Sequence, residues 1–122
     1  MTYEQFNKFC ASLPGTTHVV QWGGSHVWKV GGKVFAIGGW ADDKPAFTFK
    51  VTPIAYEVLK DRPGLRPAPY LASRGMKWIQ HFKKPGLSDS ELKEHLRISY
   101  ALVAAGLSKK LRDSIVEPKR KK

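Results

Sequence analysis

Three pairs of adjacent glycines divide residues 17–51 into short segments rich in β-branched and aromatic residues. The pairs stand at 23–24, 31–32 and 38–39, and the sequence DDKP makes a further break at 42–45. Glycine readily adopts the positive φ angles that tight hairpin turns need, so this spacing predicts four successive antiparallel strands. None of the pairs has the spacing of a phosphate-binding loop, which favours turns over nucleotide contacts.

The glycine pair at 31–32 also predicts a register for its hairpin. A two-residue turn there sets Trp28 opposite Phe35 and His26 opposite Ile37, which gives one aromatic cross-strand face. The fourth strand alternates apolar and polar residues, so it is expected to have one buried and one wet face.

Capping signals mark the starts of three helices. The first begins at a capping box of Thr2 and Gln5, the second at Thr52 followed by proline, and the last at a capping box of Ser88 and Glu91. Apolar periodicity predicts that one stripe of the last helix is buried against the sheet. This stripe consists of Leu92, Leu96, Ser99, Leu102 and Val103.

The order of these elements predicts the fold class. A strand is expected at 77–82, after a proline-stiffened extended loop at 65–70. The order α-β-β-β-β-α-β-α predicts an α+β two-layer sandwich, with an antiparallel sheet of about five strands and helices packed on one face. The 122 residues suit one domain, which we place at 1–115, followed by a basic disordered tail at 116–122.

Several segments resemble one known family. They are KVGGKVFA at 29–36, PAPYLA at 67–72 with KWI at 77–79, and the closing EL, ISY, LV and LSKK between 91 and 110. In this order and spacing they resemble the MmcQ/YjbR-like family over nearly the whole chain. The resemblance implies a compact α+β fold similar to frataxin-like proteins, with no recognised catalytic residues. It also implies a DNA-binding role and a double-wing arrangement.

The net charge of the chain indicates which classes of binding partner it attracts. The chain has 21 lysines and arginines against 10 acidic residues, a net charge of +11. Without residues 108–122 it still has fourteen basic and eight acidic residues. Such a field attracts nucleic acid first and an anionic membrane surface second, while a solvated basic face is the alternative. No apolar run is long enough to span a bilayer, and we see no signal peptide, so we predict a cytoplasmic protein without membrane insertion. Its single cysteine, Cys10, is expected in a helical core and suits a reducing compartment. We also predict that the protein is a monomer.

The candidate binding residues cluster in one part of the sequence. Residues 62–84 contain six basic residues and no acidic one, and aromatic residues are interleaved with them. Long cationic side chains on a rigid frame are what phosphate recognition needs, so we predict largely sequence-independent binding of nucleic acid, with DNA first. With two hairpin lysines added, the predicted nucleic-acid-binding residues are Lys29, Lys33, Arg62, Arg66, Arg74, Lys77, Lys83 and Lys84.

No catalytic or metal-binding pattern accompanies these cations. Glu91 and His95 lie one helical turn apart, but the capping box already accounts for Glu91. We therefore predict a protein that is not an enzyme, with no metal and no cofactor. Two other functions stay open: a pocket for a small anionic ligand formed by Tyr70, Arg74 and Trp78, and a module whose basic face docks an acidic protein partner.

Overall fold

A computed structural model of the chain describes residues 1–39, 45–69, 71 and 76–120, with side chains described as far as residue 115. The helices and strands follow the order expected for this α+β fold, with one more strand than predicted and a fourth helix after α3. The elements are α1 (Tyr3–Ala11), β1 (Thr16–Gln21), β2 (Ser25–Val30), β3 (Lys33–Gly38), β4 (Phe47–Lys50), α2 (Pro53–Leu59), β5 (Leu65–Pro67), β6 (Trp78–His81), α3 (Asp89–Ala105) and α4 (Lys109–Arg120).

The strands form one antiparallel sheet in the order β1-β2-β3-β4-β6-β5. The α+β prediction is confirmed, and the additional strand is β5, which lies in the segment predicted to be a stiff loop. Proline has no N–H to donate to a neighbouring strand. Because β5 is at the sheet edge, Pro67 at its end causes little loss of hydrogen bonding in the sheet.

The predicted register of the β2–β3 hairpin is wrong by one residue beyond its turn. Trp28 pairs with Ala36 instead of Phe35, and His26 pairs with Gly38 instead of Ile37. The shift lies between Trp28 and Lys29, where a β-bulge inserts Phe35 as the extra residue of β3. A bulge turns two successive side chains toward one face, and Phe35 and Ala36 are indeed both in the core.

A single apolar cluster joins the helices to one face of the sheet. Three of the described helices contribute buried residues to it: Phe6 and Cys10 from α1, Leu59 from α2 and Leu96 from α3. The half-buried Ile115 of α4 packs against it. Burial of Cys10 is confirmed, and it raises the pKa of the thiol. The strand residues of the cluster are Trp28, Val30, Phe35, Ala36, Phe47, Phe49, Leu65 and Ile79, and Val51 joins them from directly after β4.

Helix α3 lies over β3 and β4 through the stripe that the sequence predicts. Leu92, Leu96, Ser99 and Val103 are buried, whereas Leu102 is only half-buried, contrary to prediction. Both predicted capping boxes are present, at the start of α1 and at the start of α3.

Ser99 ties α3 to two strands. Its hydroxyl donates to the carbonyl oxygen of Phe35 at 2.6 Å and accepts from the backbone N–H of Lys50 at 2.8 Å. These two bonds satisfy a fully buried polar side chain and hold the bulged strand to its neighbour.

The last described element, α4, continues through Arg120. Its backbone thus extends into the segment predicted to be a disordered tail, while Lys121 and Lys122 lie outside the described residues. Among the described helices, none has the length and apolarity required to cross a bilayer.

Candidate nucleic-acid interface

The candidate interface begins on the sheet face turned away from the apolar cluster, which we call the second face. One row of cross-strand partners crosses all six strands there, and none of its members belongs to the cluster. The row changes from apolar to polar along the sheet. Its members are Val19, Val27, Ile37, Thr48, Gln80 and Arg66. Its four middle members, Val27, Ile37, Thr48 and Gln80, are buried, so only the two ends of the row are accessible.

Arg66 is the cation of this row, and two neighbours hold it in place. Its Nε donates to Oε1 of Gln80 at 2.8 Å, and its guanidinium lies 4.2 Å from the ring centroid of Phe82. Gln80 is fully buried, so it fixes the guanidinium plane from the sheet side. A guanidinium held in one orientation loses little conformational entropy when it binds an anion.

Two lysines share the second face with Arg66. Strand alternation places Lys29 on the side of Val27, and Lys50 on the side of Thr48. Lys50 pairs with Trp78 in the neighbouring strand. The sequence analysis did not select Lys50, although the polar alternation of the fourth strand was the signal that could have found it.

Four further predicted cations lie at the two ends of the strands. Lys33 and Lys77 are at the end where β3 begins, and Lys83 and Lys84 follow β6 at the opposite end. A four-residue strand such as β6 separates these ends by only about 10 Å. The ammonium groups of Lys77 and Lys83 lie 4.8 Å and 5.3 Å from the rings of Tyr56 and Phe82.

Arg62 differs from the other predicted cations because its charge is compensated. Its Nη2 lies 3.2 Å from Oε1 of Glu91, the residue that caps α3. The Ser88 backbone N–H and then Arg62 lower the pKa of Glu91, so the carboxylate stays charged. Within the described part of the chain, the other predicted cations form no ion pair with a carboxylate: Lys29, Lys33, Arg66, Lys77, Lys83 and Lys84.

Two of the three residues predicted to form a small-ligand pocket are outside the described part of the chain. These two are Tyr70 and Arg74. Trp78 is 5% exposed on β6, so it is a packed residue of the sheet and no open stacking platform.

Three of the histidines, His26, His81 and His95, are half-buried, and His18 is exposed. His95 stacks on Phe49 with ring centroids 5.4 Å apart, which accounts for its position on α3. His18 and His26 face each other across β1 and β2, with Nε2 and Nδ1 3.2 Å apart. Over the described residues, no group of three or more histidine, cysteine, aspartate or glutamate side chains is placed to hold a metal ion.

We expect the free energy of unfolding to fall as the pH drops from about 6.5 toward 5, because burial lowers the pKa of His81 and His95. In this window the unfolded chain binds more protons than the folded one, so acid favours unfolding. Glu91 and Glu94 oppose the shift at His95 but do not outweigh it. Urea titrations across this range test the slope, and His95→Gln should flatten it; an unchanged slope in that variant would contradict the prediction.

Comparison with known proteins supports this architecture. A family model described as YjbR matches residues 11–102. The crystal structure of Deinococcus radiodurans protein DR2400, with domain DUF419, superposes with a TM-score of 0.79 at 24% identity, covering 93% of this chain and 87% of that one. The crystal structure of a Pseudomonas syringae protein superposes with a TM-score of 0.67 at 20% identity, covering 84% of this chain and 99% of that one. No curated protein matches the sequence. At these identities the two structures show the fold alone.

Proposed function

The chain belongs to the YjbR family, and we propose that this member is a non-enzymatic protein that binds DNA through phosphate contacts, largely independently of sequence. One observation carries the proposal: six predicted cations lie on the second face and at the strand ends, and none of them forms an ion pair with a described carboxylate. With a net charge of +11, the chain attracts a polyanion before contact.

The geometry suits the phosphate backbone better than base edges. Arg66 and Lys29 stand on a sheet face, whereas base readout in the major groove calls for a protruding helix or a two-stranded ribbon. Phosphate contacts fix the orientation of the protein but carry no sequence information. We place this activity in a cytoplasmic monomer, where the single thiol stays reduced.

The proposal predicts a steep dependence of binding on salt. If about five phosphate contacts form, the logarithm of the association constant should fall with the logarithm of salt concentration at a slope of roughly −4 to −5. Fluorescence anisotropy with a labelled duplex, over a range of potassium chloride concentrations, measures this slope. Affinity for DNA no greater than for heparin at about 150 mM salt would refute specific recognition of DNA and favour the acidic-protein partner.

A shortened chain controls for the terminal charges. Ending the chain after Val116 removes four cations, Lys119, Arg120, Lys121 and Lys122, and one acidic residue. This variant should keep its melting temperature and bind with a shallower salt slope, while its relative affinities for different duplex sequences stay the same. A sequence preference that disappears with these residues would place the recognition surface outside the sheet.

A further inference from the structure

The two edges of the described sheet differ in how well they are protected against pairing with another strand. One edge is β5, which is three residues long and ends at Pro67. The other edge is β1, whose six residues, Thr16–Gln21, include no proline, lysine, arginine or acidic residue. Short length, proline and charge are features by which proteins keep further strands from an edge. The β1 edge lacks all three.

β1 also pairs regularly along its whole length. Its register with β2 runs without a shift from the Thr16–Val30 pair to the Gln21–Ser25 pair, so it has no bulge that would twist the edge away from a new strand. In an antiparallel pair, alternate residues direct their N–H and C=O groups to the neighbouring strand. The other residues of β1 therefore direct theirs away from β2, toward the open side of the sheet.

The side chains of β1 are accessible on both faces of the sheet. Val19, on the second face, is 37% exposed, and Val20, on the opposite face, is 54% exposed. Trp22, directly after the strand, is 50% exposed. Exposed apolar residues that adjoin one another mark interaction sites, whereas single ones are ordinary. A strand added at this edge would cover valine side chains as well as backbone groups.

The charge around this edge favours an acidic partner. Residues 16–38, which form β1, β2, β3 and their turns, contain two lysines, Lys29 and Lys33, and no acidic residue. Lys29 pairs with Thr17 on the second face and forms no ion pair with a described carboxylate. Neighbouring strands are about 4.8 Å apart, so the long lysine side chain can cross the small Thr17 toward a carboxylate on an added strand.

We propose that the β1 edge binds an extended acidic segment of a partner protein as an additional strand of the sheet. Backbone hydrogen bonds hold the segment, its apolar side chains contact Val20 on one face, and a carboxylate on the other face pairs with Lys29. A second copy of this chain suits the edge less well, because two chains with a net charge of +11 each repel one another. The site goes beyond the proposed DNA binding and does not depend on it.

Two peptides of equal length test the proposal on the full chain. The acidic probe is the capped peptide EVTVEVTE, and the basic probe has lysine in place of each glutamate. In ¹H–¹⁵N correlation spectra, the acidic probe should give saturable shifts at the amides of β1. It should bind about tenfold more tightly than the basic probe, which is repelled by Lys29 and by the net charge. The absence of saturable shifts at β1 with the acidic probe would overturn the proposal, and equal affinity for the two probes would refute an acidic partner.

Amide hydrogen exchange distinguishes an added strand from contact through side chains alone. In the free chain, the amides of β1 that bond to β2 are protected, whereas the alternate amides face the open edge. The bound acidic probe should slow exchange at those alternate amides, between Thr17 and Gln21, by about tenfold or more. If the probe binds but slows none of them, no strand is added.

Matched variants locate the site. Val20→Glu should weaken binding of the acidic probe by about tenfold, because it removes an apolar cross-strand contact and places a like charge beside the probe. Ile54→Glu is the control, since Ile54 is 80% exposed on α2 and the substitution changes the net charge equally. The control should bind as the parent chain does, and equal weakening in the two variants would refute a site on β1. Should Val20→Glu fail to fold, the two probes and the exchange measurement on the parent chain still decide the proposal.

Sedimentation of the chain without peptide tests the other occupant of the edge. We expect a single monomeric species over the concentrations used for the spectra. Self-association that Val20→Glu abolishes and Ile54→Glu does not would mean that a second copy occupies the edge. That result would overturn the proposal of an acidic partner.

Discussion

Replacing Leu96 with alanine is expected to lower the free energy of unfolding by about 2–5 kcal/mol. Leu96 is fully buried on α3, within the cluster that joins the helices to the sheet. Its removal exchanges packed methyl groups for a cavity, and the surrounding sheet cannot collapse fully into the space. Urea denaturation followed by circular dichroism measures the loss.

Ile98 provides the matched control on the same helix. It is 37% exposed, so Ile98→Ala should cost less than about 1 kcal/mol for a similar change in side-chain volume. Equal losses at the two positions would mean that burial against the sheet does not determine the result, because alanine favours the helix at both positions. Such a finding would contradict the packing of α3 described above.

Structural features that depend on residues close together in the chain could be predicted from the sequence. The Thr2 and Ser88 capping boxes form as expected, because each joins groups three residues apart. The glycine pairs likewise predict the four successive antiparallel strands, β1 to β4. The buried stripe of α3 follows from helical periodicity and fails only at Leu102, where the helix turns partly away from the core.

The bulge in β3 depends on contacts that local patterns do not contain. Phe35 is bonded through its carbonyl oxygen to Ser99, 64 residues later in the chain. The same hydroxyl binds Lys50, so α3 helps set the register of two strands at once. The hairpin prediction uses only the type of turn, and it therefore predicts regular strand pairing without a bulge.

The candidate sites show the same division between local and distant effects. The excess of cations at 62–84 is a property of the sequence, but the compensation of Arg62 by Glu91 requires the fold. The β1 edge is open because the strand order places β1 outermost in the described sheet. No local pattern predicts which strand lies at an edge, so sequence reasoning had no signal for this site.

Reversing three cations of the candidate interface is expected to reduce DNA affinity by roughly 100-fold at about 150 mM salt. The variant combines Lys33→Glu, Arg66→Glu and Lys77→Glu, which lie on the second face and at one strand end. Each lost phosphate contact removes about 0.9 from the salt slope, so the slope should flatten by roughly 3. Fluorescence anisotropy measures both quantities. Lys29 is left unchanged because it also lies beside the β1 edge.

A second triple variant separates the interface from total charge. Lys8→Glu, Lys93→Glu and Lys110→Glu change the net charge by the same amount at exposed lysines on the helices. If DNA contacts the second face and the strand ends, this control should lose far less affinity than the interface variant. Because Arg66 also bonds Gln80, melting temperatures of both variants must accompany the comparison. Equal losses of affinity in two folded variants would mean that DNA binding depends only on the net charge of the protein, and the proposed interface would be wrong.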